Sequence, residues 1–224
     1  MEVILSIETS TSVCSAALHE KGNLIAMKEL FALQSAAAQL AMQVEELFTE
    51  TNISKQQLKA VAVSAGPGSY TGLRIGVSTA KGICFGLNLP LISIDSLLVL
   101  ASHASLPLNT DFICPMIDAR RMEVYCSLLG PSLNVLEQTQ AKVIDANSFA
   151  SQLELHSILF FGNGAPKCRE TLKHPNAFFL DGIYATAASM GKLAYKKFQA
   201  LQFETPGMFE PNYLKDFVVK TKLK

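Results

Sequence analysis

The stretch Val61-Ala-Val-Ser-Ala-Gly-Pro-Gly-Ser-Tyr-Thr-Gly-Leu-Arg-Ile-Gly-Val-Ser-Thr-Ala-Lys-Gly-Ile-Cys-Phe-Gly-Leu87 says more about this chain than any other. An apolar run ends in Gly66-Pro67-Gly68, and a helical pattern starts near Ser69 or Thr71. That helix carries glycine at 72, 76, 82 and 86. Each interior glycine costs about 1 kcal/mol relative to alanine, so something is expected to press closely against it. At 100° per residue, Leu73, Val77, Ala80, Cys84 and Leu87 form the core stripe. Ile75, Thr79, Gly82 and Gly86 form a second stripe, nearly opposite and almost bare of bulk. Either an internal helix fills this groove, the commoner case, or another protein does. The loop has two readings as well. Backbone N–H groups of Gly66, Gly68 and Ser69 ahead of a helix can cradle a phosphate. Yet neither G-x-G-x-x-G nor G-x-x-x-x-G-K-[ST] is present, and a plain strand-to-helix turn needs no ligand.

The chain has 224 residues, room for one large domain or two small ones. Hydrophobic residues make up 49% and charged ones 17%, which excludes a disordered chain. Nineteen basic and nineteen acidic residues cancel, so no overall field draws it to nucleic acid or membrane. Five scattered cysteines without a C-x-x-C read as the reduced thiols of a cytoplasmic protein. Glu2 stands where a signal peptide would carry a basic residue, and Asn88 and Pro90 break the longest apolar stretch.

Two halves share the order βββαβαβα. The first runs through strands 3–8, 13–20 and 24–31, a helix at 35–50, a strand at 60–65, the glycine-bearing helix, a strand at 91–94, and a helix capped by Ser96 that reaches about Ser105. Residues 106–111 read as the linker. The second half has strands at 112–118, 123–129 and 133–138, a helix at 148–153, a strand at 157–161, a helix at 165–172, a strand at 177–180 and a long helix at 184–200. The halves rhyme: Ile7-Glu8-Thr9 with Ile117-Asp118-Ala119, and Gly66 and Gly68 with Gly162 and Gly164. The expected fold is therefore α/β, two ribonuclease-H-like domains (1–105 and 106–224) of the architecture of actin, Hsp70 and sugar kinases (ASKHA). There, a nucleotide lies in the cleft between domains. Function must still be argued from the site.

In such a cleft Glu8 and Asp118 would face each other and could hold Mg²⁺ through water or orient a nucleophile. Equally, each could end a strand and cap a turn with Thr9, Ser10 or Arg120. No lysine or arginine forms a phosphate clamp beside them; Arg74 is the nearest basic candidate. The histidines at 19, 103, 156 and 174 are isolated, so no zinc or iron hydrolase is expected. Ser64, Ser69 and Ser78 lack the G-x-S-x-G elbow, and Ser69 reads as a helix cap. Cys168, between Lys167 and Arg169, comes nearest to a reactive thiolate, with packing as the competing role. The C-terminal lysines at 192, 196, 197, 215, 220, 222 and 224 form a solvated run, or add phosphate contacts to an RNA held elsewhere.

The run 65–82 resembles the signature of the TsaB family, also called YeaZ. Ile4-Leu-Ser-Ile-Glu-Thr-Ser-Thr11, Ile117-Asp-Ala-Arg-Arg-Met-Glu-Val-Tyr125 and Pro211-Asn-Tyr-Leu-Lys215 agree with it, so the resemblance covers the whole length. It implies a non-catalytic paralogue of TsaD that forms a heterodimer with TsaD. With the ATPase TsaE, the pair places a threonylcarbamoyl group on N6 of the adenosine beside the anticodon of tRNAs reading codons that begin with A. ATP would be used by the assembled complex, and no cofactor or metal held by this chain alone. The metal histidines of TsaD lie on the helix corresponding to 35–50, which here has none. Many members have Asp where this chain has Glu8, which puts a metal role there in doubt. The expected partner surface is Ala38, Ala41, Met42 and Glu45 with Ile75, Thr79, Gly82 and Gly86. Without its partner it would pair with itself as a weak homodimer. The competing reading is an ATP-dependent phosphotransferase or a peptidase working from the cleft.

Overall fold

Alternate residues of the central strands serve two different cores. Val3, Leu5 and Ile7 pack to one side with Val61 and Val63, while Ile4, Ala60 and Ala62 pack to the other. Strands buried on both faces read as near-continuous apolar runs. The computed structural model describes residues 2–31, 36–103, 106–107 and 109–215. Strands β1 (Val3–Glu8), β2 (Val13–Glu20), β3 (Asn23–Phe31), β4 (Leu58–Ser64) and β5 (Leu91–Ile94) form one sheet in the order β3-β2-β1-β4-β5. Strands β6 (Phe112–Asp118), β7 (Glu123–Leu129), β8 (Val135–Val143), β9 (Ile158–Phe161) and β10 (Ala177–Leu180) form a second, β10-β9-β6-β7-β8. Advancing each label of the first by five gives the second, read from its other edge. β1 pairs antiparallel with β2 and parallel with β4, and β6 does the same with β7 and β9. The duplicated ribonuclease-H-like α/β fold is present.

The layers follow from the cores. Helices α1 (Ala36–Thr51) and α2 (Tyr70–Leu87) cover the outer face of the first sheet through Leu40, Val44, Leu47, Val77, Ala80 and Cys84. Helix α3 (Ser96–Ala101) lies between the sheets, with Leu97 and Leu100 in one cluster with Ile92, Ile113, Ile117 and Phe161. The short α4 (Ala150–Leu153) covers the outer face of the second sheet together with Phe149 and Cys168.

β8 runs over Val135–Val143 where a strand at 133–138 was expected, and three helical elements differ as well. Asp95, not Ser96, caps α3: its Oδ1 accepts from the N–H groups of Leu97 (2.7 Å) and Leu98 (3.2 Å). Ser96 is buried, its hydroxyl accepting instead from the Gly66 N–H at 3.2 Å. The helix ends at Ala101, and Ser105 lies outside the described residues. At 165–172 only a 3-10 turn forms, Pro166–Cys168. The helix at 184–200 is likewise interrupted, with a 3-10 turn at Ala187–Met190 preceding α5, Gly191–Gln199. There the Ala187 N–H donates to Ser15 Oγ (2.9 Å) and the Ala188 carbonyl accepts from His19 Nε2 (3.2 Å), so β2 takes groups that a helix would use internally. This places α5 on the first sheet, where Lys197 donates to the Ser93 carbonyl at 2.7 Å.

Candidate functional site

The glycine loop is packed against its own chain. Gly66 and Gly68 have φ of +103° and +159°. A Cβ on Gly66 would fall 2.6 Å from the Asn212 carbonyl oxygen, and one on Gly68 2.3 Å from that of Ser10. Two of the three named donors, the Gly66 and Ser69 N–H groups, are engaged within the chain. The Gly66 N–H goes to Ser96, the Ser69 N–H to the Ser10 carbonyl (2.7 Å), and the Gly72 N–H to the capping Ser69 Oγ (3.2 Å). The loop between β1 and β2 runs directly beneath α2. Thr9 Oγ1 donates to the Gly72 carbonyl at 2.8 Å, and Cβ atoms on Gly72 and Gly76 would lie 2.0 Å from Thr9 O and 2.2 Å from Thr9 Oγ1. These two glycines let a loop, not a helix, approach.

Glu8 is completely buried at the head of that loop and accepts from the Ser10 N–H at 2.5 Å, while its second carboxylate oxygen has no hydrogen-bond partner. Burial raises its pKa to about 7, against the Ser10 hydrogen bond, which pulls the other way. The folded state therefore holds this proton more tightly than the unfolded chain, whose reference value is 4.5. The stabilisation is full below about pH 4.5 and is lost as pH rises through about 7, on the order of 3 kcal/mol by linkage. Glu8→Gln is expected to match the parent near pH 4.5 and to be the more stable protein at pH 8. Denaturant midpoints at the two pH values check this, and a parent-like pH slope in the variant would refute it.

Asp118 does not share a polar cluster with Glu8. It is exposed, pairs with Lys167 and accepts from the Arg120 N–H at 2.9 Å. Lys167 also donates to the Glu123 carbonyl at 2.6 Å. The sequence reading offered Arg120 as its turn partner, which the Arg120 N–H fulfils, but not the ion-pair partner Lys167, which comes from the turn after β9. Gly162 and Gly164 wrap the end of β6 as the first glycine pair wraps the loop after β1. Their Cβ positions would meet the Met116 carbonyl oxygen at 2.4 Å and the Ile117 carbonyl carbon at 2.9 Å. Cys168 is buried, and burial pushes its thiol up to about 11, so it packs and does not react. Among the described residues no group of three His, Cys, Asp or Glu side chains could hold a metal ion, and no helix is long and apolar enough to cross a membrane.

The outer face of α1 and α2 is different in kind. Ala38, Ala41, Met42, Glu45, Gly82 and Gly86 are exposed, and Ile75 and Thr79 half-buried. A Cβ on Gly82 or Gly86 would meet nothing within 4 Å. Phe85 is 90% exposed and Met42 62%. Sequence reasoning missed Phe85, which falls beside the bare stripe on the wheel, next to Ser78 and Arg74; a large aromatic on that side was the available signal. Glu45 pairs with Lys55 at 2.5 Å.

The family model for "TsaD: tRNA N6-adenosine threonylcarbamoyltransferase" matches residues 31–221. A TsaB protein of Haemophilus influenzae, named for tRNA threonylcarbamoyladenosine biosynthesis, is 35% identical over 124 residues, which are 55% of this chain and 52% of that protein. The chain thus spans about half the length of this relative. The TsaB of Bacillus subtilis is 33% identical over 192 residues, 83% of this chain and 80% of its own. The chain belongs to the TsaB family. The solved structure of YeaZ from Pseudomonas aeruginosa superposes with a TM-score of 0.83 at 23% identity, covering 96% of this chain and all of that one, and so shares the fold. The family signature falls on the glycine loop and α2, where the structure locates both the tightly packed and the open glycines.

Proposed function

We propose that this chain is the scaffold subunit of the assembly that places the threonylcarbamoyl group on N6 of the adenosine beside the anticodon of tRNAs reading codons that begin with A. It binds the catalytic TsaD subunit through the outer faces of α1 and α2, and TsaE joins the pair. The observation that carries this reading is the uncovered face itself: Phe85 largely exposed on the helix that carries Gly82 and Gly86, with open space above both glycines, and Met42 largely exposed on the neighbouring α1. Exposed apolar side chains set against a helix surface bare of bulk mark an interaction site. Membership of the TsaB family names the pathway. The same surface pairs weakly with a second copy when TsaD is absent. Catalysis by this chain alone has little support, since the Gly66 and Ser69 N–H groups of the loop are engaged within the chain and Glu8 is sealed from solvent. ATP is accordingly used by the complex and not held by this subunit, which works in the cytoplasm.

Mixing the purified chain with TsaD is expected to give a stable heterodimer on size exclusion. The chain alone is expected to give no threonylcarbamoyl transfer and to carry no stoichiometric zinc or iron. Transfer by the isolated chain, or about one equivalent of either metal, would overturn the reading.

A further inference from the structure

Residues 119–122, between β6 and β7, hold the place in the second half that residues 9–12 hold in the first. In the first half the loop carries buried Thr9 and Ser10 beneath α2; in the second it projects Arg120 and Arg121, both exposed. Both arginines have positive φ, +71° and +49°. Glycine and asparagine take that conformation readily and long side chains seldom do. The turn between β2 and β3 follows the ordinary pattern, with Lys21 at +48° and glycine second, Gly22 at +83°. The arginine turn is closed by the Ala119 N–H on the Glu123 carbonyl and the Glu123 N–H on the Arg120 carbonyl, both 3.1 Å. The adjacent carboxylates are occupied, Asp118 by Lys167 and Glu123 by Lys215. Neither arginine has a carboxylate partner among the described residues. Lys215 reaches Glu123, whose N–H closes the turn on the Arg120 carbonyl, and so brings the C-terminal segment to the same corner.

Aromatic rings lie close by. Tyr213, two residues before Lys215, packs on Tyr70 with ring centroids 4.9 Å apart, and the Arg74 guanidinium lies 4.2 Å from the Tyr70 centroid. The segment is fixed by the Asn212 N–H on the Ala65 carbonyl at 2.6 Å. Since the chain is neutral overall, this grouping is not a by-product of a basic composition. Paired guanidiniums suit phosphate oxygens, and aromatic faces beside cations suit an unstacked base. A protein partner would want a bulky apolar anchor, as α2 offers with Phe85, and this corner presents flat rings and charge.

We propose that Arg120 and Arg121, with Tyr213 and Arg74, form a contact surface for RNA, receiving the backbone of the tRNA handled by the assembled complex. The inference rests on the scaffold reading and adds a direct substrate contact to it.

The test replaces the pair by Arg120→Asn with Arg121→Gly, which keeps the turn and supplies residues that favour it. In complex with TsaD, with an unmodified transcript of a tRNA reading an A-initial codon, this variant is expected to melt no lower than the parent and to bind TsaD unchanged. Its tRNA affinity should fall at least about tenfold, with the slope of log K against log salt shallower by roughly 1.4–1.8 for two lost phosphate contacts. Arg120→Lys with Arg121→Lys should keep most of that slope. Parental affinity and slope in the Asn-Gly variant would overturn the proposal, and so would loss of TsaD binding, which would make the corner a protein contact. A parent chain that never joins TsaD would refute the scaffold reading instead, and the same salt titrations on the chain alone then decide the patch.

Discussion

The Gly82→Leu variant is expected to fold, to melt about 2 °C above the parent, and to lose TsaD. Gly82 is exposed near the middle of α2, and an added Cβ meets nothing within 4 Å. Leucine in place of glycine gains roughly 0.7 kcal/mol of helix propensity, about 2 °C for a chain of this size. In the complex the same bulk would hold the partner's helix beyond the ~8–10 Å at which helices pack. Apolar contact would be lost along the whole stripe, including that of Phe85 and Met42. The expected penalty is about 3 kcal/mol, roughly a hundredfold in Kd. Calorimetric titration with TsaD, alongside a thermal melt, checks both signs. Native affinity in a folded variant would place the interface elsewhere, and a collapse in stability would mean that the groove is filled from within.

Gly72→Ala, ten residues earlier in the same helix, is expected to do the reverse. Its Cβ would fall 2.0 Å from the backbone carbonyl oxygen of Thr9. Backbone cannot swing aside as the end of a long side chain can, so α2 must lift or the loop must move. Lifting would cost the Thr9-to-Gly72 hydrogen bond and the Ser69-to-Ser10 hydrogen bond together. A loss of about 3 kcal/mol or more is expected, a drop of roughly 6–12 °C in Tm. A Gly72→Ala midpoint within 1 °C of the parent would show that the loop does not lie where it is described.

On paper these glycines are alike, and that marks how far the sequence could be read. The duplication was legible because it rests on local signals: apolar runs ending in Glu8 and Asp118, and glycine pairs after the fourth strand of each half. The core stripe of α2 was legible from periodicity, and Leu73, Val77, Ala80 and Cys84 are buried as expected. The second stripe was a correct reading of a helix surface but an incomplete account of the glycines. Gly72 and Gly76 answer to Thr9, more than sixty residues distant in sequence, which no helical wheel displays. The break at Ala187 has the same origin, since Ser15 and His19 take its hydrogen bonds from the far end of the chain. Asp95 and Ser96 are neighbours that both favour capping positions, and only the burial of Ser96 decides between them. Lys167 was passed over for Asp118 because nothing local joins them.

The packing between the sheets has a mechanical consequence. Leu97, Leu100, Ile113, Ile117, Phe161 and Met190 belong to one continuous apolar cluster, each at most 2% exposed. Baring four such side chains would cost on the order of 10 kcal/mol, comparable with the whole stability of an ordinary domain. The Asn212 N–H on the Ala65 carbonyl and the seating of α5 on the first sheet tie the halves again from outside. Jaws that open and shut need a cheap hinge, and here the hinge region is itself core. Parting the sheets would bare that core, so the subunit is built as a solid wedge, with α1 and α2 on one half and the turn that carries Arg120 and Arg121 on the other.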